Sequence, residues 1–179
     1  MPFCEYLSDS STVRDVMGHQ AARYAPLENF THDLMRGDSP FSVAERELIA
    51  AFVSGLNACQ FCYGAHVAGA EAFGTAPGLV DSLVANLDDT AALDARMKPV
   101  LQFVRKLTTA PAKVTQSDAD AVFAAGWGED ALHDAAAICA LFNFYNRLVD
   151  GHGVKGDAAM FPMIGDMLKQ HGYAPAPAR

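Results

Sequence analysis

Cys59, Cys62 and His66 are the residues whose types and spacing can do chemistry. They sit in Asn57-Ala58-Cys59-Gln60-Phe61-Cys62-Tyr63-Gly64-Ala65-His66, at intervals of three, four and seven that share one helix face. The stripe carries two thiols and an imidazole. Asn57, following Ser54-Gly55, reads as an N-cap, because Gly can end the preceding helix and Asn can accept the next helix's orphan amides. Both cysteines then fall in the first turns, where the partial positive charge favours thiolate, the nucleophile of thiol chemistry. A thiol with an ordinary pKa of ~8.5 is only a few per cent thiolate at neutral pH, and His66, one turn from Cys62, can accept its proton. Zinc is an alternative for two thiolates and an imidazole, although a structural site needs a fourth ligand and none is adjacent in sequence. Plain packing is another.

The elements that must position this stripe are helical throughout, and alternating strand patterns are missing, so the fold class is all-α. Ser10 or Ser11 can cap a first helix over roughly residues 12–24. Pro26 suits the start of a second, with Leu27, Phe30 and Leu34 on one side. Gly37 ends it, which assigns Arg36-Gly37-Asp38 to a helix stop. Ser42 and Glu45 form a capping box for a third helix, with Leu48, Ile49, Phe52, Val53 and Leu56 as its apolar stripe. Glu47 lies off that stripe, beside Ala50, Ala51 and Ser54, a small-residue face that another helix can approach closely. A continuous helix would put Glu47 about 18 Å from Cys59, so the chain must fold back at Ser54-Gly55. The bland reading of Glu47 is a solvated side chain.

Beyond the cysteine helix, Leu79 to Leu87 marks a helix. Leu93 to Leu107 marks another, kinked or restarted at Pro99. Thr115 with Asp118 caps a shorter one. A long helix runs from about Glu129 to Asp150, followed by an amphipathic piece with Phe161, Ile164, Met167 and Leu168. Residues 174–177, Ala-Pro-Ala-Pro, are expected to be extended and mobile. An internal echo links 50–57 with 136–143, both ending in Asn, but the thiols are not repeated.

The chain has 179 residues, 51% hydrophobic and 19% charged, the balance of one globular domain. That domain spans 1–179, with 1–38 an N-terminal helical extension and 155–179 a C-terminal tail. A net charge of -8 without a basic cluster argues against nucleic acid or an anionic membrane surface as partner. The first residues lack a basic segment followed by an apolar run, so no signal peptide is expected. Four cysteines are too few for a disulfide-stapled secreted scaffold, which makes the cytoplasm the default compartment. No cofactor or metal is expected. Cys139 reads as a buried small hydrophobe and Cys4 as part of a flexible terminus. Phe61 and Tyr63 flank the thiols as pocket walls. Asn143, Asn146 and Arg147 share a face that can line a pocket or hydrogen-bond across a subunit boundary.

The segment from Glu47 to His66, Glu-Leu-Ile-Ala-Ala-Phe-Val-Ser-Gly-Leu-Asn-Ala-Cys-Gln-Phe-Cys-Tyr-Gly-Ala-His, resembles the active-site segment of the alkyl hydroperoxidase D and carboxymuconolactone decarboxylase superfamily, in its peroxidase-related branch. Leu141 to Leu148, Leu-Phe-Asn-Phe-Tyr-Asn-Arg-Leu, resembles that branch too. The resemblance implies a helical fold, homo-oligomers, and a thiol-dependent peroxidase that reduces hydroperoxides. It assigns Cys62 as the peroxidatic thiol, Cys59 as the resolving thiol, and His66 with Glu47 as a proton relay. Helix polarity alone favours Cys59 as the stronger thiolate, whereas the histidine and the family pattern favour Cys62. Its implied partners are a small hydroperoxide and a dithiol reductant, with a lipoyl-bearing protein, the hydroperoxidase's donor, as one candidate. Phe61 stands where the hydroperoxidase has a second histidine. A lyase acting on a small acid and a non-catalytic oligomeric redox sensor are the competing readings.

Overall fold

A computed structural model of the protein describes residues 1–90 and 92–173. All regular structure among them is helical: α1 Val13–Gly18, α2 Ala21–Arg36, α3 Val43–Leu56, α4 Gln60–Ala72, α5 Leu79–Asn86, α6 Met97–Thr109, α7 Gln116–Ala124, α8 Glu129–Gly151 and α9 Phe161–His171. The tail expected to be extended at 174–177 lies outside the described residues.

Helix α3 is the axis of the molecule. Every residue from Arg46 to Ser54 is buried, so no face of that stretch meets water, the condition of a helix enclosed by others. Helices α4, α8, α6 and α5 pack around it, and α9 lies across the outer face of α4. The core is correspondingly rich in α3 side chains, with Ile49, Phe52 and Val53 meeting Leu83, Leu101, Ile138 and Phe142 in one cluster. The capping boxes at Ser42/Glu45 and Thr115/Asp118 are both formed.

Several boundaries differ from expectation. Thr12, with Asp15, caps α1 in place of Ser10 or Ser11. The break between the first two helices falls at His19–Gln20, and α2 runs straight through Pro26. Proline inside a helix removes one amide donor and crowds the carbonyl four residues back, at a cost of about 3 kcal/mol. Here Ala22 and Pro26 both lie on the exposed face of α2, where water serves that carbonyl. Helix α6 starts only at Met97, after Leu93, so Pro99 occupies its first turn, where an amide has no helical acceptor to lose. The N-terminus is tied down: the Phe3 amide donates to the His152 carbonyl at 3.0 Å. Buried Arg46 of α3 donates from Nη1 to the carbonyls of Leu34 (3.0 Å) and Gly37 (2.8 Å), which closes the C-terminal end of α2.

Candidate active site

The chain reverses between α3 and α4 at Asn57-Ala58, not at Ser54-Gly55. Asn57 is the C-cap of α3, and Cys59 itself is the N-cap of α4. Ala58 makes the turn in the left-handed region, with φ of 55°, a conformation that L side chains adopt at some steric cost. Cys59 therefore sits at the mouth of α4 and Cys62 in its first turn. Asn57 does not cap α4 because it ends α3, two residues before the N-cap. Its Nδ2 donates to Asn143 Oδ1 at 3.1 Å and Asn146 Oδ1 at 2.8 Å. Asn146 Nδ2 in turn donates to Ser54 Oγ at 3.0 Å, and Arg147 Nη1 donates to Asn143 Oδ1 at 2.8 Å. The shared face of Asn143, Asn146 and Arg147 thus bonds within the chain and pins α8 to the turn that presents the thiols.

Glu47 meets the cysteine helix through its small-residue face. It has no exposed surface, and its Oε2 lies 2.8 Å from His66 Nδ1. Gly69, one turn beyond His66, makes the approach possible: a Cβ there would stand 3.0 Å from Glu47 Oε2 and 3.3 Å from Leu168 Cδ1. The carboxylate's other oxygen, Oε1, accepts from Arg36 Nη2 at 2.7 Å and from Tyr173 Oη at 2.8 Å. Burial alone would push the Glu47 carboxyl up. The hydrogen bond and charge of His66, then the charge of Arg36, outweigh it and hold the group below its ordinary range. With Glu47 ionised, His66 must carry a proton on Nδ1 to bond it, and Nε2 is left as the free nitrogen. Phe142 meets the imidazole edge-on, with ring centroids 4.4 Å apart, and Tyr173 stacks beyond it at 6.1 Å.

Cys59 has no exposed surface and Cys62 only 3%. Both are free thiols. A hydrogen bond to Cys62, reinforced by burial, raises the Cys59 pKa well above that of an ordinary thiol. Cys62 and His66 line a cavity of about 360 Å³ whose walls include Phe61, Phe142, Met163 and Ile164. That volume lies within the range of small-molecule sites. Thr31 and Tyr145 supply a polar spot on the same wall, their hydroxyls 2.7 Å apart. Burial pushes the Tyr145 hydroxyl up to about 12, so it stays protonated.

All four sequence-derived candidates, Cys59, Cys62, His66 and Glu47, are thus gathered where α3 meets α4. Phe61 walls the Cys62 cavity, and Tyr63 walls a separate cleft at Cys59. Asn57 and Asn143, which end the two echoing segments, are hydrogen-bonded to each other. Cys139 is buried, with Thr108 Oγ1 3.2 Å from its sulfur. Arg36 and Tyr173 went unnoticed in the sequence. Arg36 ends α2 with only the ordinary signature of a C-terminal cation, and Tyr173 follows α9 with no motif around it. Among the described residues, no group of three or more His, Cys, Asp and Glu is arranged to hold a metal ion, and no helix is long and apolar enough to cross a membrane.

Residues 22–105 match the carboxymuconolactone decarboxylase family. No curated protein matches the chain. Two crystal structures resemble it closely. One is an uncharacterized peroxidase-related protein from Ralstonia eutropha JMP134, described as an alkylhydroperoxidase AhpD core. It is 27% identical with a TM-score of 0.74, over 83% of this chain and 78% of that one. The other is an uncharacterized peroxidase-related protein from Silicibacter sp. TM1040. It is 31% identical with a TM-score of 0.67, over 84% of this chain and 74% of that one. Family and neighbours together point to a peroxidase-related function. With the helical core, the Glu47–His66 contact and the paired thiols, they lead to one assignment: the chain belongs to the alkyl hydroperoxidase D and carboxymuconolactone decarboxylase superfamily, in its peroxidase-related branch.

Proposed function

We propose that the protein is a thiol-dependent peroxidase that reduces hydroperoxides through Cys62 and Cys59, assisted by His66 and Glu47. One observation carries the reading: Cys62 and His66 open together on an apolar cavity, while Cys59, the N-cap of α4, precedes Cys62 by three residues. His66 Nε2 takes the Cys62 proton, and the ionised Glu47 stabilises the imidazolium. The Cys62 thiolate attacks the terminal peroxide oxygen and the O–O bond breaks. The departing alkoxide takes a proton from His66 and leaves as the alcohol, and Cys62 becomes a sulfenic acid. Cys59 then condenses with it: the S–S bond forms, the hydroxyl leaves with the Cys59 proton as water, and over-oxidation is forestalled. A dithiol donor returns two electrons to the pair. The reading includes a closed homo-oligomer, to be checked by sedimentation, and a reducing compartment such as the cytoplasm.

The test is mass spectrometry of the reduced protein after one equivalent of a hydroperoxide, with and without dimedone. A dimedone adduct on Cys62, and a Cys59–Cys62 disulfide without dimedone, are expected. Steady-state peroxide consumption should require a dithiol and vanish in Cys62→Ser. Equal consumption by Cys62→Ser and wild type would refute the assignment.

A further inference from the structure

We propose that the electron donor enters by a route separate from the peroxide, through the cleft between α4 and α5, and that a slim, uncharged aliphatic dithiol attacks Cys59 there. The proposal rests on the peroxidase reading for its biological purpose, but its geometry stands apart from it. The two sulfurs line different cavities. Cys62 belongs to the chamber under α9, whereas Cys59 lines a cleft of about 300 Å³ with Gly55, Ala58, Tyr63, Asp81 and Val84. No residue lines both. Cys59 is the N-cap, outside the helix proper, and leaves the expected stripe: with Tyr63 it faces Asp81 and Val84 of α5, while Cys62, Ala65 and His66 face the chamber.

The cleft's chemistry selects its occupant. Cys59 has no surface open to bulk solvent, so it is reached only by a narrow group that enters the cleft. Val84, Ala58 and Gly55 make the walls largely apolar. At the rim the Tyr63 hydroxyl donates to the exposed Asp81 carboxylate, and this negative charge disfavours an anionic thiol such as glutathione.

Starting from the Cys59–Cys62 disulfide, a donor thiolate attacks Cys59 Sγ. The S–S bond breaks, and Cys62 departs as thiolate beside His66. A mixed disulfide now joins Cys59 to the donor. The donor's second thiol attacks its own sulfur in that bond, Cys59 leaves and is protonated, and a cyclic disulfide departs. Two electrons and two protons pass from the donor to the pair. Peroxide and donor therefore never compete for one chamber.

The test begins with diamide, which closes the Cys59–Cys62 disulfide without any peroxide. The oxidised protein is treated with 2-mercaptoethanol, quenched in acid and mapped by peptide mass spectrometry. The mixed disulfide is expected on Cys59, with Cys62 free to alkylate; an adduct on Cys62, or equally on both, overturns the proposal. In a second arm, dithiothreitol reduction is timed in wild type and in Ala85→Trp, an exposed position that lines the cleft. The substitution should slow reduction about 10-fold or more while oxidation by cumene hydroperoxide keeps its rate. An unchanged reduction rate, or equal slowing of both half-reactions, overturns the proposal. 2-Mercaptoethanesulfonate should open the disulfide of wild type more slowly than 2-mercaptoethanol, and Asp81→Asn should narrow the gap; equal rates in wild type overturn the charge argument. If the diamide-made disulfide is opened at Cys59 but hydroperoxides never form it, the peroxidase reading fails and the donor cleft survives. The reverse pattern removes the cleft alone.

Discussion

Two buried polar clusters hang from the same face of α3, seven residues apart, with Ala50 and Ala51 between them. At one end Glu47 gathers His66, Arg36 and Tyr173. At the other, Ser54 joins Asn146, Asn57 and Asn143. Both tie the central helix to distant elements, and both satisfy side chains that would otherwise be orphaned in the core. They differ in charge. The glutamate cluster holds an anion between a guanidinium and an imidazole, so the arrangement of donors sets a proton affinity. The asparagine cluster titrates nowhere in the working range and holds only shape. One cluster fixes the charge beside His66, the other keeps the turn that carries the thiols in place.

The sharpest way to break this contrast is Arg36→Met. It leaves a fully buried carboxylate with one cation fewer and should cost about 3–5 kcal/mol in denaturant unfolding. Arg36→Lys should recover only part of that, because the guanidinium also bonds the Met35 and Leu168 carbonyls. A loss no larger than that of an asparagine variant would erase the distinction.

Glu47→Gln should lower peroxide turnover roughly 10²-fold, since His66 loses the anion that stabilises its protonated form. The same variant tests the pH dependence. The folded-state pKa of Glu47 is depressed, so its stabilisation is fully present above the ordinary value of 4.5 and is lost as pH falls through the folded value. The stability gap between wild type and Glu47→Gln should therefore shrink on acidification, in thermal melts taken from neutral pH downward. A gap that widens would reverse the sign of the argument.

Asn146→Ala should cost about 1–3 kcal/mol by leaving Asn57 and Ser54 underbonded. It should leave the pH profile of Cys62 alkylation unmoved, and a shifted profile would mean that the neutral cluster also tunes the thiols. The smallest effect is expected from Tyr173→Phe, which removes one of three donors to Glu47 and should cost about 0.5–1.5 kcal/mol. A concurrent shift of the Cys62 alkylation profile would place the Tyr173 hydroxyl inside the proton relay.

Features decided by neighbours in sequence were legible without coordinates. The Ser42/Glu45 and Thr115/Asp118 boxes are closed by groups three residues apart, and Cys62 and His66 share a face by helical periodicity, whereas Cys59, as the N-cap, leaves the expected stripe. The small residues around Glu47 signalled a close helix approach for the same local reason. Asn57 ends α3 and does not cap α4, because the turn runs on through left-handed Ala58 to Cys59, a backbone choice that residue types do not display. The helix start expected at Pro26 failed because an exposed carbonyl can turn to water, a circumstance that residue order does not display. Arg36 and Tyr173 reach Glu47 across 11 and 126 residues, and nothing at either position announces the destination.

Residue order alone determined that the chain is helical, that Cys62 and His66 share a face, and that Glu47 sits on a face narrow enough to be covered. These are consequences of 3.6-residue periodicity and side-chain size, which act over a few positions. Only the tertiary structure decided which groups surround the carboxylate and that the two sulfurs open on different cavities. Proton affinity and access depend on burial and on charges brought in from remote segments, and those are settled by packing.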